Sequence, residues 1–325
     1  MREHLVLIPV FDGVQVLDVT GPFEVLAHAT KRLGDTPGYA VRLVAATAEP
    51  PGPVTTDSGL KLVPDGPLPS SGEIGTLLVP GGAGARALTA ADELVGWLRS
   101  AAGRSARVVS VCTGAFPLAA AGVLDGHAAA THWLYAGQLA STYPEVDVQA
   151  DPIFVRDGRV WTSAGVTAGI DLALALVEAD HGVDLAQQVA RELVVFLRRP
   201  GGQSQYKSPV WTEPARKPGI REAQDLIHGR PEADLRVPAL AAHAGMSERH
   251  FSREFTRALG CPPGDYVEQV RVDAARRLLE SGPAPVTVVA ARTGFGTAET
   301  MRRAFLRRLG VPPAHYRRHF AAGPS

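Results

Sequence analysis

The stretch Ala241-Ala242-His243-Ala244-Gly245-Met246-Ser247 near the carboxyl end returns as Ala290-Ala291-Arg292-Thr293-Gly294-Phe295-Gly296. In each copy it joins a short apolar segment to a second segment in which large apolar residues recur every four positions. That spacing is typical of a helix with one buried face, and the glycine marks a turn between two helices. Ser247 and Thr297 precede the second helix, and their hydroxyls are suited to cap its first turn. The sequence therefore predicts a duplicated helix-turn-helix module.

The duplication continues through the second helix of each copy. Its apolar face is formed by Phe251, Phe255 and Leu259, and then by Met301, Phe305 and Leu309. Its opposite face carries Arg249, Ser252, Arg253 and Arg257, and then Glu299, Thr300, Arg302, Arg303 and Arg307. Two helices around a short glycine turn, the second with basic groups outward, have the geometry that enters a DNA major groove. The alternative is a helical repeat whose charges only solvate one face.

Residues 220 to 320 resemble the DNA-binding domain of the AraC/XylS family. In that family two helix-turn-helix units are joined by a long helix, here 264–279, and each copy closes with the pattern Gly-x-Pro-Pro-x-x-Tyr. The resemblance implies that the domain reads two successive major-groove segments of double-stranded promoter DNA. It places the base-facing positions at Arg249, Ser252, Arg253, Ala298, Glu299, Thr300 and Arg303. An alanine side chain offers no hydrogen bond to a base, so we expect sequence choice to depend mainly on the arginines.

Charge is divided unequally along the chain. The formal net charge is zero, yet residues 1–200 carry 14 basic and 21 acidic residues, whereas residues 201–325 carry 19 basic and 12 acidic residues. The basic half contains the duplication, as binding to phosphates requires.

The composition also bears on compartment and cofactors. Cys112 and Cys261 are the two cysteines and lie in different segments, which predicts no disulfide framework and favours a reducing cytoplasm. No stretch reaches the roughly 18 apolar residues of a membrane span. The histidines and cysteines lack zinc spacing, and the run Gly81-Gly82-Ala83-Gly84 lacks the spacing of a phosphate or dinucleotide loop. We therefore expect a cytoplasmic, nucleoid-associated protein with no metal and no cofactor.

Short apolar runs alternate with helical patterns in the first two hundred residues. Strands are predicted at 4–11, 39–46, 76–80 and 107–111, and helices at 22–33, 91–102, 115–124, 168–180 and 184–198. The alternation predicts a parallel sheet covered on both faces, with a ligand beyond the carboxyl ends of its strands. Residues 199–219 are rich in glycine, proline and polar residues, which predicts a linker between domains 1–198 and 220–325. Within the linker, Val210 and Trp211 could pack on either domain.

Cys112 stands between a predicted strand and a predicted helix. This is the arrangement of a nucleophile elbow, which exposes a reactive side chain on a sharp turn. The start of the following helix favours the thiolate, so we expect an exposed and ionised Cys112. The alternative is a buried cysteine that packs as a small apolar residue.

Residues 4 to about 185 resemble the DJ-1/PfpI superfamily. The resemblance rests on residues 108–114 (Val-Val-Ser-Val-Cys-Thr-Gly), on Gly81-Gly82, and on residues 17–22 (Leu-Asp-Val-Thr-Gly-Pro), which are most similar to the isocyanide hydratases. It implies a doubly wound, flavodoxin-like α/β fold of the class-I glutamine amidotransferase type.

The same resemblance implies a site around Cys112. It makes Cys112 the elbow thiol and Asp18 the neighbouring carboxylate, with Glu24 as a rival. It also implies an anion pocket formed by the amides of Gly82 and Thr113. The ligand site that it implies is lined by Asp18, Gly81, Gly82, Cys112, Thr113, His132 and Trp133. Thr113 replaces the histidine of the protease-like members, and Asp18 replaces their glutamate. A peptidase pair is therefore unsupported unless His132 supplies the base.

The order of the two domains resembles the GlxA family of transcriptional regulators. We expect a sequence-specific regulator rather than an enzyme, which forms a homodimer through its N-terminal domain and acts on transcription by RNA polymerase. A small-molecule effector in the Cys112 pocket is expected to favour one arrangement of the DNA-binding domains. The alternatives are an isocyanide-hydratase-like enzyme with a DNA-binding tail, and a redox sensor that uses oxidation of Cys112.

Overall fold

A computed structural model describes residues 3–46, 52–197, 202–203 and 215–320. Residues 319 and 320 are described by their backbone only. The chain forms two compact units, Met1–Gln203 and Ser204–Ser325. Most of the predicted linker, including Val210 and Trp211, lies outside the described residues. Its beginning is not free, however, because Gly202 and Gln203 are buried in the first unit. The prediction that residues 199–219 are all linker is wrong at these two positions and at its other end, where Ala215 is buried in the second unit and a helix begins at Pro218.

A seven-stranded sheet forms the centre of the first unit. Its strands, in spatial order, are β10 (Phe154–Asp157), β11 (Val160–Ser163), β7 (Ser105–Val111), β6 (Ile74–Val79), β1 (His4–Pro9), β2 (Tyr39–Ala45) and β5 (Gly66–Pro67). Every neighbouring pair is parallel except β10 with β11. Two small sheets pair β3 (Val54–Thr55) with β4 (Lys61–Leu62), and β8 (Ala128–Ala129) with β9 (Asp147–Val148). The four predicted strands are the central ones.

Helices cover both faces of this sheet, as the alternating pattern predicts. One face packs against α1 (Val16–Leu33), α6 (Ala168–His181) and α7 (Val183–Glu192). The other packs against α3 (Glu93–Gly103), α4 (Ala115–Ala120) and α5 (Ala136–Thr142), while the short helix α2 (Ala83–Ala87) lies beyond the end of β6. Val6 and Ile8 of β1 enter one core and Leu7 enters the other, because successive side chains of a strand point to opposite faces. The doubly wound fold is thereby confirmed.

Three helix limits differ from their predictions by four residues or more. Helix α1 begins at Val16 rather than at residue 22, so Asp18 lies in its first turn and Pro22 in its interior. Both an acidic residue and a proline are favourable in the first turn of a helix. The sequence therefore offered two starts, one before Asp18 and one at Pro22, and the prediction used the later one. Helix α4 ends at Ala120 rather than at residue 124, and α7 ends at Glu192 rather than at residue 198. Val194, just beyond α7, has a φ of 55°, which a helix cannot continue through.

The second unit is entirely helical in its described part. Its helices are α8 (Pro218–Gly229), α9 (Val237–His243), α10 (Glu248–Leu259), α11 (Pro263–Ser281), α12 (Val286–Arg292), α13 (Ala298–Leu309) and α14 (Pro313–Phe320). Helix α11 is shared between two separate cores: Tyr266 and Val270 belong to the first, and Val272 and Leu279 to the second. The predicted pair of helix-turn-helix units joined by one long helix is therefore present.

The two copies agree at the residues that define their repeat. Phe251, Phe255, Met301 and Phe305 are fully buried. Helices α10 and α13 both end at a left-handed glycine, Gly260 with φ 76° and Gly310 with φ 70°. A side chain would be strained in that conformation, which explains glycine at the same place in each copy.

Candidate ligand site and DNA-binding surface

Cys112 occupies a strained turn between β7 and α4. The turn is a short 3-10 segment, Cys112–Gly114, and Cys112 has a φ of 57°, which is rare outside glycine. The turn also passes close to β6, since a side chain on Gly114 would lie 2.1 Å from the carbonyl oxygen of Val79. The elbow geometry indicated by the sequence is thus present.

The thiol of Cys112 is buried and protonated. The residue is 7% exposed. Burial, followed by the nearby charge of Asp18, raises the pKa of the thiol to about 12, against weaker opposing hydrogen bonds from the amides of Thr113 and Val166. The expectation of an exposed thiolate is therefore wrong. Loss of hydration outweighs the favourable start of α4, which is only six residues long.

Asp18 is the carboxyl group beside this thiol. It is fully buried; its Oδ2 accepts the Gly81 amide at 3.0 Å, while its Oδ1 has no hydrogen-bond partner of normal geometry among the residues that the structure describes. Burial raises the pKa of Asp18 to about 7, although hydrogen bonds from Gly81, Cys112 and Val166 lower it in part. Asp18 therefore exchanges a proton near neutral pH. Glu24, the rival carboxylate, is exposed on α1 beside His28 and is excluded from the site.

The predicted anion pocket is occupied by the protein itself. The amide of Gly82 donates to the hydroxyl of Thr113 at 2.9 Å, and that hydroxyl donates to the Gly82 carbonyl at 3.1 Å. The amide of Gly81 is used by Asp18. The expectation that the Gly82 amide binds an anion is corrected by these contacts, because the threonine brings its own oxygen to that amide; the Thr113 amide instead faces the Cys112 thiol.

His132 and Trp133 form a half-buried stack next to the elbow. Their ring centroids are 5.5 Å apart, and Nδ1 of His132 accepts the Leu134 amide at 3.2 Å. Burial lowers the pKa of His132, so the ring is neutral at pH 7. A side chain on Gly165 would lie 2.0 Å from this ring, which places His132 against the turn preceding Val166. Within the described ranges no hydrogen bond joins His132 to Cys112, so the stack forms a wall rather than a Cys–His pair.

Three contributors to this region carried no clear sequence signal. Val166 has a φ of 55° and directs its amide toward Asp18 and Cys112. Arg86 on α2 lies over the ring of Tyr135 at 4.1 Å, and that ring lies 5.8 Å from His132. In the described part of the chain Arg86 has no carboxylate partner, so a half-buried cation stands beside the stack. Gln203, placed in the linker by the sequence pattern, hydrogen-bonds the amide of Trp133 at 2.8 Å.

The second helix of each helix-turn-helix unit exposes most of the predicted base-facing residues. Arg249 and Arg253 are exposed on α10, and Glu299, Thr300 and Arg303 are exposed on α13, whereas Ser252 and Ala298 are half-buried. Thr297 caps α13 through its hydroxyl, which accepts the Thr300 amide at 3.1 Å and contacts the Thr300 hydroxyl at 2.9 Å. Ser247 precedes α10 without such a bond, so capping is confirmed at Thr297 and wrong at Ser247.

Two arginines of the predicted basic faces pair closely with carboxylates that are buried or half-buried, in addition to Arg302, which pairs with the exposed Glu299. Arg257 pairs with Glu254, a carboxylate that is 6% exposed, and Arg307 pairs with Glu268 on α11. Arg257 and Glu254 lie on the same helix, α10, whereas the pair of Arg307 with Glu268 joins α13 to α11. The sequence pattern could not separate these arginines from Arg253 and Arg303, since all four lie on the polar face of their helix.

Comparison with known proteins identifies this architecture. The model of the DJ-1/PfpI family matches residues 4–179, and a helix-turn-helix domain model matches residues 240–319. The chain belongs to the DJ-1/PfpI family and carries an AraC-type helix-turn-helix domain at its carboxyl end.

The relatives of this chain include transcriptional regulators and an enzyme. The chain is 35% identical over 259 residues to the HTH-type transcriptional regulator Rv1931c of Mycobacterium tuberculosis, covering 76% of this chain and 96% of that protein. It is 29% identical over 212 residues to the HTH-type transcriptional regulator GlxA of Rhizobium meliloti, covering 65% of each. It is also 40% identical over 183 residues to the isonitrile hydratase of Pseudomonas putida, covering 56% of this chain and 75% of that enzyme. The prediction of a DNA-binding transcriptional regulator is confirmed.

Two features of the described residues bear on membranes and metals. None of their helices combines the length and the apolar character that crossing a bilayer requires. No group of three or more histidine, cysteine or acidic side chains is arranged there to hold a metal ion.

Proposed function

We propose that α10 and α13 enter two successive major-groove segments and read bases there. The proposed reading residues are Arg249, Ser252, Arg253, Glu299, Thr300 and Arg303. The observation that carries this proposal is the position of Arg253 and Arg303: each is exposed on a helix whose opposite face carries fully buried large apolar residues. Guanidinium groups in such positions suit bidentate contacts with guanine.

We further propose that the first unit senses a small molecule near Cys112 and thereby governs DNA binding. A protonated thiol, a buried carboxyl with a pKa of about 7, and glycine amides already bonded within the chain favour recognition over nucleophilic attack. Arg86, half-buried over Tyr135 without a carboxylate partner among the described residues, favours an anionic effector such as a small carboxylate. The effector acts by binding one arrangement of the dimer more tightly than another. Dimerisation through the first unit and action on RNA polymerase complete the proposal.

A second candidate is hydration of an isonitrile or a similar carbon electrophile. The 40% identical hydratase and the contact between Cys112 and Asp18 favour it. In that reaction water adds to R–NC and gives R–NH–CHO, so no oxidant or reductant is needed. Asp18, whose pKa is raised by burial to about 7, delivers the proton to carbon.

The deciding experiment uses the full-length protein and DNA enriched by it from a random pool. We expect a single preferred sequence, and a change in its Kd when a panel of small carboxylates is added. Cys112→Ala is expected to keep that response, with Cys261→Ala as the matched control. Loss of the response in Cys112→Ala alone, together with consumption of cyclohexyl isonitrile by the wild type, would favour the enzyme. Failure to prefer any DNA sequence would contradict the proposal that α10 and α13 read bases.

A further inference from the structure

Gln203 is a buried polar side chain at the carboxyl end of the first unit. It is 2% exposed. Its Oε1 accepts the Trp133 amide at 2.8 Å, and its Nε2 donates to the carbonyls of Thr131 at 2.9 Å and Pro152 at 3.1 Å. Its backbone amide donates to the carbonyl of Asp151 at 2.7 Å. Both ends of the carboxamide are therefore used, which only glutamine or asparagine chemistry allows.

The loops that hold Gln203 also hold Cys112. The Cys112 carbonyl accepts the hydroxyl of the fully buried Thr131 at 2.8 Å, and the Thr131 carbonyl binds Gln203. The Cys112 amide donates to Ala164 at 3.1 Å, and the Ala164 amide donates to Ile153 at 2.8 Å, the residue after Pro152. Two series of hydrogen bonds, one through Thr131 and one through Ala164 and Ile153, therefore connect the backbone of Cys112 to the surroundings of the Gln203 side chain.

The chain approaches Gln203 along a fixed path. A side chain on Gly202 would lie 2.5 Å from Oδ2 of Asp151, so the backbone passes directly over that carboxyl group. Beyond Gln203 the chain continues through residues 204–214, which lie outside the described part, to the DNA-binding unit. Gln203 is thus the last described anchor of the first unit before the segment that connects the two units.

We propose that Gln203 is a positioning residue that couples the state of the Cys112 site to the DNA-binding unit. A change at the elbow shifts Thr131 or Ala164, and this shift either preserves or breaks the hydrogen bonds of the Gln203 side chain. Because the connecting segment begins directly after Gln203, its starting position changes with those bonds. Buried hydrogen-bond networks suit such coupling because a partly satisfied network is costly, which makes the two states discrete. The inference rests on the proposed function, namely that the first unit governs DNA binding.

The test is a double-mutant cycle in the full-length protein, read as the Kd for the DNA enriched from a random pool. Asp18→Asn perturbs the site from within. Gln203→Glu keeps the shape of the side chain but sets an oxygen against the carbonyls of Thr131 and Pro152. Gln187→Glu, exposed on α7, makes the same charge change elsewhere. We expect Asp18→Asn to change the Kd about fivefold or more in the wild-type and Gln187→Glu backgrounds, and less than about twofold with Gln203→Glu.

Amide hydrogen exchange provides a second readout that needs no DNA and guards against misfolding of Gln203→Glu. Thr131→Val keeps the side-chain shape and removes the bond to Cys112. We expect the amides of Gln203 and Trp133 to exchange about tenfold faster in this variant. An Asp18→Asn effect on Kd that is equal in all backgrounds or absent from all, or unchanged exchange at Gln203 in Thr131→Val, overturns the inference. If the wild type prefers no DNA, the proposed function fails, while exchange still shows whether Gln203 responds to the elbow.

Discussion

The two helix-turn-helix copies share their apolar residues but differ in what their closing tyrosines bind. Tyr266 packs against Phe255 at 5.4 Å and hydrogen-bonds Gln224 and His228 of α8, at 3.1 Å and 2.8 Å. Tyr316 packs against Phe305 at 6.0 Å and hydrogen-bonds Arg276 at 3.0 Å and Glu280, both on α11. Helix α11 therefore serves the second copy as α8 serves the first. Duplication kept the apolar packing, and the polar partners diverged around it.

The copies differ also in how they restrain the arginines proposed to read DNA. In α10 the carboxylate beside Arg253 is Glu254, which is almost fully buried and also binds Lys217 at 3.1 Å. In α13 the carboxylate beside Arg303 is the exposed Glu299, which accepts Arg302 at 2.7 Å and lies 3.6 Å from Arg303. The first copy thus uses its acid within the domain, whereas the second presents an acid together with its arginines at the surface.

The largest expected effect tests what the copies share. Phe255→Ala and Phe305→Ala each remove a fully buried ring from a separate core, and each is expected to cost about 3–5 kcal/mol of unfolding free energy. Denaturant unfolding of the full chain, with hydrogen exchange to locate the loss, measures this. We expect each substitution to loosen mainly its own copy. Equal loosening of both copies by either change would show that α11 joins them into one cooperative unit.

The next effect tests the proposal that α10 and α13 read bases. Arg253→Ala and Arg303→Ala are each expected to cost about 1–3 kcal/mol at one base position if the arginine pairs with a guanine. Binding to a set of single-base variants of the enriched DNA measures the loss, and the two affected positions are expected to lie in different half-sites. Arg292→Ala, exposed on α12, is the control. A uniform loss on all sequences would reassign the arginine to a phosphate contact.

The smallest effect tests the difference in capping. Thr297→Ala removes a hydroxyl that accepts the Thr300 amide, and is expected to cost about 1 kcal/mol. Ser247→Ala removes a hydroxyl with no cap bond, and is expected to cost no more than a few tenths of a kcal/mol. Unfolding free energies of the two variants measured side by side decide the point. Equal costs would contradict the asymmetry between the copies.

The sequence by itself determined the elements whose periodicity is strong. The four-residue spacing between Phe251 and Phe255, and between Met301 and Phe305, predicted helices α10 and α13, because one apolar face must be buried wherever the helix lies. The β-branched run before Cys112 predicted a buried central strand, and the helical pattern directly after it predicted the elbow. Both results follow from patterns that neighbouring residues establish locally.

Only the tertiary structure decided the chemistry at those places. The ionisation of Cys112 and Asp18 depends on how much water surrounding elements exclude, and no local pattern records that. Gln203 lies 72 residues from Thr131 along the chain, and its polar surroundings resemble a linker until the loops close around it. Arg257 lies closer to Glu254 than Arg253 does, and Glu254 is held in the domain by a residue distant in sequence, Lys217. Solvation and long-range partners, rather than residue type, set these roles.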